Sequence, residues 1–167
     1  MGLLNAQAAR AWGCRVVVSE LMQNKLETAR KMGFEIIDGN ACNPVEAIKQ
    51  LTGGKGADAV ILAVASADAN AQALDMVKFL DGRVLYFGAG YPAPKVEVDS
   101  NLIHYRRMEL IGTFGADLKE FCIAADMLNQ GLVDVSGLID GKYPLDQIQQ
   151  AYQEAATPGK YRISVLL

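Results

Sequence analysis

Glu20 closes the run Cys14-Arg-Val-Val-Val-Ser-Glu20, and this carboxylate after three β-branched apolar residues is the side chain best placed to do chemistry. Such a run reads as a strand buried on both faces, with the acid at its carboxyl tip facing a ligand. There it can accept hydrogen bonds from both hydroxyls of a ribose, and its charge repels a 2'-phosphate, which favours NAD over NADP. Gly2 opens an Ala-rich helix about 18 positions earlier, close to the roughly 20-residue interval between a dinucleotide-fold glycine turn and its ribose-binding acid. A solvated acid at a strand end is the plain alternative. Lys25, one turn into the next helix, can cover an adenine face with its stem, and an exposed lysine explains it equally well.

Two stretches imitate phosphate loops. Thr52-Gly-Gly-Lys-Gly56 resembles a P-loop fragment, but it leads into a strand instead of from strand to helix, so it reads as a turn. Gly88-Ala-Gly-Tyr-Pro92 starts like a dinucleotide fingerprint, yet Pro92 and Pro94 stop any helix where a phosphate would need one. Its small residues would instead admit a flat ligand ring at a strand's carboxyl end, or form an ordinary loop. His104 is the one histidine, and with no visible partner or ligand set it reads as a surface helix residue. Cys14, Cys42 and Cys122 are odd in number and widely spaced, which signals neither a disulfide framework nor a zinc cluster.

The elements that must position these residues alternate. Helices are expected at Gly2 to Trp12, Met22 to Met32, Asn43-Pro44 to Leu51, Ala69 to Leu80, Ser100 to Arg107, around Phe121 to Leu128 and after Pro144. Strands are expected at Cys14 to Glu20, Phe34 to Ile37, Ala57 to Ala65, Arg83 to Phe87, Lys95 to Asp99, Glu109 to Gly112 and Tyr161 to Leu166. Strand and helix in turn, with short connections, define an α/β fold: a doubly wound, mostly parallel, Rossmann-like sheet in three layers. With 167 residues, 51% of them hydrophobic, the chain fits one domain with a full core.

A net charge of −3 without a basic cluster offers no attraction to nucleic acid or an anionic membrane, and no apolar run is long enough to span a bilayer. A cytoplasmic protein is the expectation from free cysteines and the absence of a leader-like start.

Several stretches, in order, resemble the coenzyme-binding part of the zinc-dependent medium-chain alcohol dehydrogenases, in their sorbitol and threonine dehydrogenase branch. They are Gly2-Leu-Leu-Asn-Ala-Gln-Ala-Ala-Arg-Ala-Trp-Gly13, Leu51-Thr-Gly-Gly-Lys-Gly-Ala-Asp58, Asn101 through Gly115, and Tyr143-Pro-Leu-Asp-Gln-Ile-Gln-Gln-Ala-Tyr152. The resemblance implies roles for individual residues. Gly2 would be the third fingerprint glycine, Glu20 the ribose acid and Lys25 an adenine-side cation. Val64 and Ala65 would border the adenosine, and Phe87, Gly88, Ala89, Thr113 and Phe114 would offer backbone groups to the nicotinamide carboxamide. Arg162 would lie near the pyrophosphate.

The same resemblance places the family's first strand and first two glycines before Met1, and its zinc-bearing catalytic domain outside the chain. The chain is therefore expected to bind NAD weakly or not at all and to turn over no alcohol or polyol alone, with zinc belonging to the complete enzyme. Association of copies through sheet edges is expected. A non-enzymatic nucleotide-binding or dimerising remnant is a second reading, and an S-adenosylmethionine-dependent methyltransferase a third. Because order 3-2-1-4-5-6 would put the absent strand between the Glu20 and Ala57–Ala65 strands, the C-terminal strand, from this chain or a swapped partner, is expected to pair with the sheet, most plausibly in that vacant position.

Overall fold

Apolar strands and amphipathic helices alternate along all 167 residues described by the computed structural model. In chain order they are α1 (Gly2–Ala11), β1 (Val17–Glu20), α2 (Gln23–Lys31), β2 (Glu35–Asp38), α3 (Pro44–Leu51), β3 (Ala59–Leu62) and α4 (Ala67–Met76). There follow β4 (Arg83–Tyr86), α5 (Ser100–Arg106), β5 (Glu109–Gly112), α6 (Leu118–Asn129), β6 (Ile139–Pro144), α7 (Ile148–Ala155) and β7 (Arg162–Leu166).

Local chemistry fixes the boundaries. Asn43 Oδ1 accepts from the amides of Val45 at 2.9 Å and Glu46 at 3.4 Å, with Pro44 in the first turn, so α3 begins where the sequence places it. Helix α4 stops earlier than its periodicity suggests. Val77 turns extended and pairs with Ala57 in a parallel bridge, the Ala57 amide donating to Met76 O and the Lys78 amide to Ala57 O, both at 2.8 Å. Arg106, at the end of α5, holds that junction. Its guanidinium donates to the carbonyls of Phe79 at 3.1 Å, Leu74 at 3.4 Å, and Val77 and Lys78 at 3.3 Å each.

The ladders are parallel, but the sheet is not continuous. β1 pairs with β2, β4 lies between β3 and β5, and β6 pairs with β7. Two expectations fail here. Lys95 to Asp99 forms no strand: it lies against no ladder, and Val96 is exposed. The C-terminal strand does form, but it pairs with β6 and leaves the position beside β1 vacant. Its partner β6 has an alternating burial pattern and escaped the sequence reading. The path β6–α7–β7 closes a local β-α-β unit, which needs far less chain closure than a reach into the other sheet.

No ladder bond joins β1 to β3, yet helices hold them together from both faces. Helix α1 touches both strands on one side. On the other, Val17 of β1 and Val60 of β3 pack against the same cluster of Ile37, Val45, Ile48 and Met76. A second cluster joins Leu3, Ala6, Ala29, Phe34 and Leu138, and a third joins Leu62, Ala73, Leu74, Val77, Val84 and Met108 beneath β3–β5.

Gln7 ties the C-terminal unit to α1. It is 3% exposed; its amide donates to Asp134 O at 2.9 Å and its carbonyl accepts from the Asp134 amide at 2.7 Å. Replacing Gln7→Leu would leave both Asp134 groups without a partner and is expected to cost about 1 to 3 kcal/mol. Urea unfolding checks the loss, and unchanged protection of the Asp134 amide in the variant would contradict it.

Candidate coenzyme site

Parallel strands that end on the same side bring their following loops together, and that edge is where open α/β sheets bind ligands. Here it carries Glu20 at the end of β1, Val64 and Ala65 just beyond β3, Phe87 to Ala89 beyond β4, and Thr113 and Phe114 beyond β5. Gly2, at the start of α1, lies against the β3 tail: a Cβ built on it would sit 3.4 Å from Ala63 Cβ. Arg162 at the start of β7 reaches over the same edge, its Nη2 lying 3.3 Å from Met1 Sδ. Lys25, half-buried in the first turn of α2, is also close to Met1: burial first, then the charges of Arg162 and Lys25, lowers the pKa of the Met1 amino group.

Glu20 is held in place. Its Oε1 accepts the amides of Leu21 at 2.7 Å and Met22 at 3.1 Å, satisfying donors ahead of α2, whose Met22 N-cap has no side-chain acceptor of its own. The bonds leave Oε2 unengaged, so one carboxylate oxygen is fixed by the backbone while the other can take a ligand hydroxyl. Val64, just beyond β3 on the same edge, is 55% exposed and offers an apolar surface there.

The nicotinamide side is differently arranged from the expectation. The amides of Phe87 and Gly88 both donate to Leu62 O, at 3.1 and 2.7 Å, so these two residues retain only their carbonyls for a ligand. The small residues here serve chain packing. A Cβ on Gly88 would come within 2.7 Å of Val64 N, and one on Gly90 within 2.5 Å of Ala65 Cβ, so the β3 and β4 tails converge because both positions lack side chains. Thr113 and Phe114 are exposed, the latter fully, and stand further along the edge.

Two residues at the mouth were not singled out from sequence. Asn24 donates to Gly159 O at 3.3 Å, which draws the turn before β7 across the start of α2. That turn delivers Tyr161, whose hydroxyl pKa is raised by burial first and then by the Glu20 and Asp140 carboxylates. The β6–β7 pairing brings Tyr161 here, and no local motif announces it. His104 is exposed on α5 and stacks edge-on with Tyr105, far from any donor set.

The two inorganic and organic groups fare differently. No three His, Cys, Asp or Glu side chains converge on a point able to hold a metal, and all three cysteines are exposed and free. The residues present do not fit a catalytic zinc. For a dinucleotide the fit is better, since a fixed carboxylate, an apolar strand tail, a helix start and two cations share one strand edge.

This is the architecture of a dinucleotide-binding fold, and comparison with known proteins makes the assignment specific. The chain belongs to the zinc-binding dehydrogenase family, whose model matches residues 1–130. It is 25% identical over 155 residues to a sorbitol dehydrogenase of Halalkalibacterium halodurans, covering 91% of this chain and 45% of that protein. An L-threonine 3-dehydrogenase of Rhizobium rhizogenes is 24% identical over 92% of this chain and 44% of its own length. Among solved structures, a zinc-binding dehydrogenase from Sinorhizobium meliloti bound to NADP superposes with a TM-score of 0.87 at 26% identity, covering 99% of this chain and 49% of that one. Benzyl alcohol dehydrogenase from Acinetobacter calcoaceticus superposes at 0.83 with 21% identity, over 96% and 45%. The chain thus spans a little under half the length of the relatives it matches. No helix is long and apolar enough to cross a membrane.

Proposed function

We propose that residues 1–167 form the coenzyme-binding part of an NAD-dependent, zinc-dependent alcohol or polyol dehydrogenase. The observation that carries this reading is Glu20, fixed at the carboxyl end of β1 with one oxygen bonded to the backbone and one unengaged. In that position the free oxygen accepts from the adenosine ribose, and its charge opposes a 2'-phosphate. Val64 and Ala65 border the adenosine, with Lys25 on its adenine side, and Arg162 supplies positive charge near Gly2 for the pyrophosphate. The carbonyls of Phe87 and Gly88, with Thr113 and Phe114 beyond, orient the carboxamide. A bound nicotinamide ring would accept hydride from the alcohol carbon. Metal chemistry falls outside these residues, so by themselves they are expected to transfer no hydride.

Titration calorimetry with NAD and NADP tests the reading. NAD is expected to bind more tightly, and Glu20→Ser to narrow the difference by about tenfold, equivalent to roughly 1.4 kcal/mol. NADP binding as tightly as NAD to the unsubstituted chain would remove Glu20 from its assigned role.

A further inference from the structure

The tips of β1 and β2 stand side by side, and the side chains that follow them form one polar rim. Glu20 and Asp38 are partners in the parallel register, and the Gly39 amide donates to Glu20 O at 3.0 Å, so the two segments leave the sheet together. Asn40 ties them again beyond the ladder, its Nδ2 donating to Leu21 O at 2.6 Å. Gln23, the first residue of α2, makes a third tie, its Nε2 donating to Asp38 Oδ2 at 2.6 Å. Leu21 lies over Gly39, where a Cβ would come within 2.8 Å of Leu21 Cδ2, and it remains 59% exposed. An apolar platform therefore follows the ribose acid directly, with two side-chain amides next to it.

Chemistry fixes how both amides point. A carboxylate and a main-chain carbonyl only accept, so the nitrogen of each amide must face them and its oxygen is turned away. Gln23 Oε1 and Asn40 Oδ1 are thus left unengaged. Asp38 adds negative charge beside them, since bonding to Gln23 first, and then to the Asn40 and Ala41 amides, holds its carboxyl below the usual carboxylate range. The rim has unfilled acceptors and suits a ligand that donates.

We propose that Gln23 and Asn40 set the specificity for the coenzyme's base: their carbonyl oxygens accept from the 6-amino group of adenine while the ring lies on Leu21 and Glu20 holds the ribose. This rests on the coenzyme reading and adds to it a choice of base. Side-chain amides suit that edge of adenine, whose amine donates where guanine carries an accepting oxygen. The amine also stands at the end of the base remote from the ribose, as Gln23 and Asn40 stand beyond Glu20, both tied to the end of β2 or to Leu21. A purely structural role for the two amides would give no discrimination between bases.

The probes are NAD and nicotinamide purine dinucleotide, in which hydrogen replaces the 6-amino group, each titrated into the full chain with amide shifts followed by NMR. NAD is expected to bind about three- to tenfold more tightly, a modest factor because both amides are exposed. Gln23→Met, which keeps the side-chain length and loses the acceptor, is expected to close most of that gap, and Asn40→Ala part of it, with each variant's spectrum showing the fold retained. Equal binding of the two dinucleotides by the unsubstituted chain overturns the proposal whatever the variants do, and so does a gap that both folded variants keep. The preference for NAD over NADP separates this inference from the reading beneath it. A Glu20-dependent preference without discrimination of the base removes Gln23 and Asn40 from their role and leaves Glu20 in its own; loss of that preference, or no binding of NAD, removes both.

Discussion

Gly56→Ala is expected to destabilise the chain by about 3 kcal/mol or more, whereas Gly54→Ala, in the same turn, is expected to cost only about 1 kcal/mol. Both glycines are left-handed, with φ of 85° and 84°, so the backbone penalty is shared. The surroundings differ. Around Gly54 a Cβ would meet nothing within 4 Å. At Gly56 it would lie 2.8 Å from Lys78 N, 2.8 Å from Val77 C and 2.9 Å from Met76 O, all backbone atoms that cannot swing aside. Relief requires pulling apart the Ala57–Val77 bridge, and with it the junction of α4 and β3. Urea unfolding of the two variants in parallel checks the difference; equal losses would show that the bridge yields without cost.

Arg106→Met is expected to lower stability by about 2 to 4 kcal/mol, because charge-assisted bonds to carbonyls in the last turn of α4 and beyond it disappear together while most of the carbonyls stay partly buried. At about 2 to 4 °C per kcal/mol for a chain of this size, the melting temperature should fall by roughly 5 to 15 °C. Arg106 also lies over the Phe79 ring at 5.5 Å, a contact that methionine keeps only in part. Arg106→Lys is the discriminating control. An ammonium keeps the charge but cannot fork to four carbonyls, so recovery of full stability by lysine would assign the effect to charge near the helix terminus and not to the bonding pattern.

Where a boundary is decided within a few residues, the sequence was readable. Asn43-Pro44 starts α3, the glycines of Thr52 to Gly56 turn the chain, Glu109 to Gly112 is a strand, and Glu20 ends one. Where a boundary depends on a distant partner, it was not. Val77 leaves α4 because Ala57 captures it, and Lys95 to Asp99 alternates correctly but has no ladder to join. β6 has a glycine and a proline in Ile-Asp-Gly-Lys-Tyr-Pro, so its strand character emerges only against β7. The candidate site divides in the same way. That a strand ends on Glu20 was legible from its position, whereas the engaged amides of Phe87 and Gly88 and the approach of Tyr161 follow from tertiary pairing that no spacing encodes.

The interrupted sheet has a consequence for how the chain unfolds. In an unbroken sheet, cooperativity passes from strand to strand through the ladder, so that loss of one strand exposes the next. Between β1 and β3 that route is absent, and coupling must run through the side chains of α1, α3 and α4. Between the C-terminal β-α-β unit and the rest, it runs through Gln7, Leu138 and Asn24. Such a molecule is built of subglobal units that can open separately, each with its own free energy. A single melting curve would then report an average over those units, and substitutions at the ties would change the breadth of the transition as well as its midpoint.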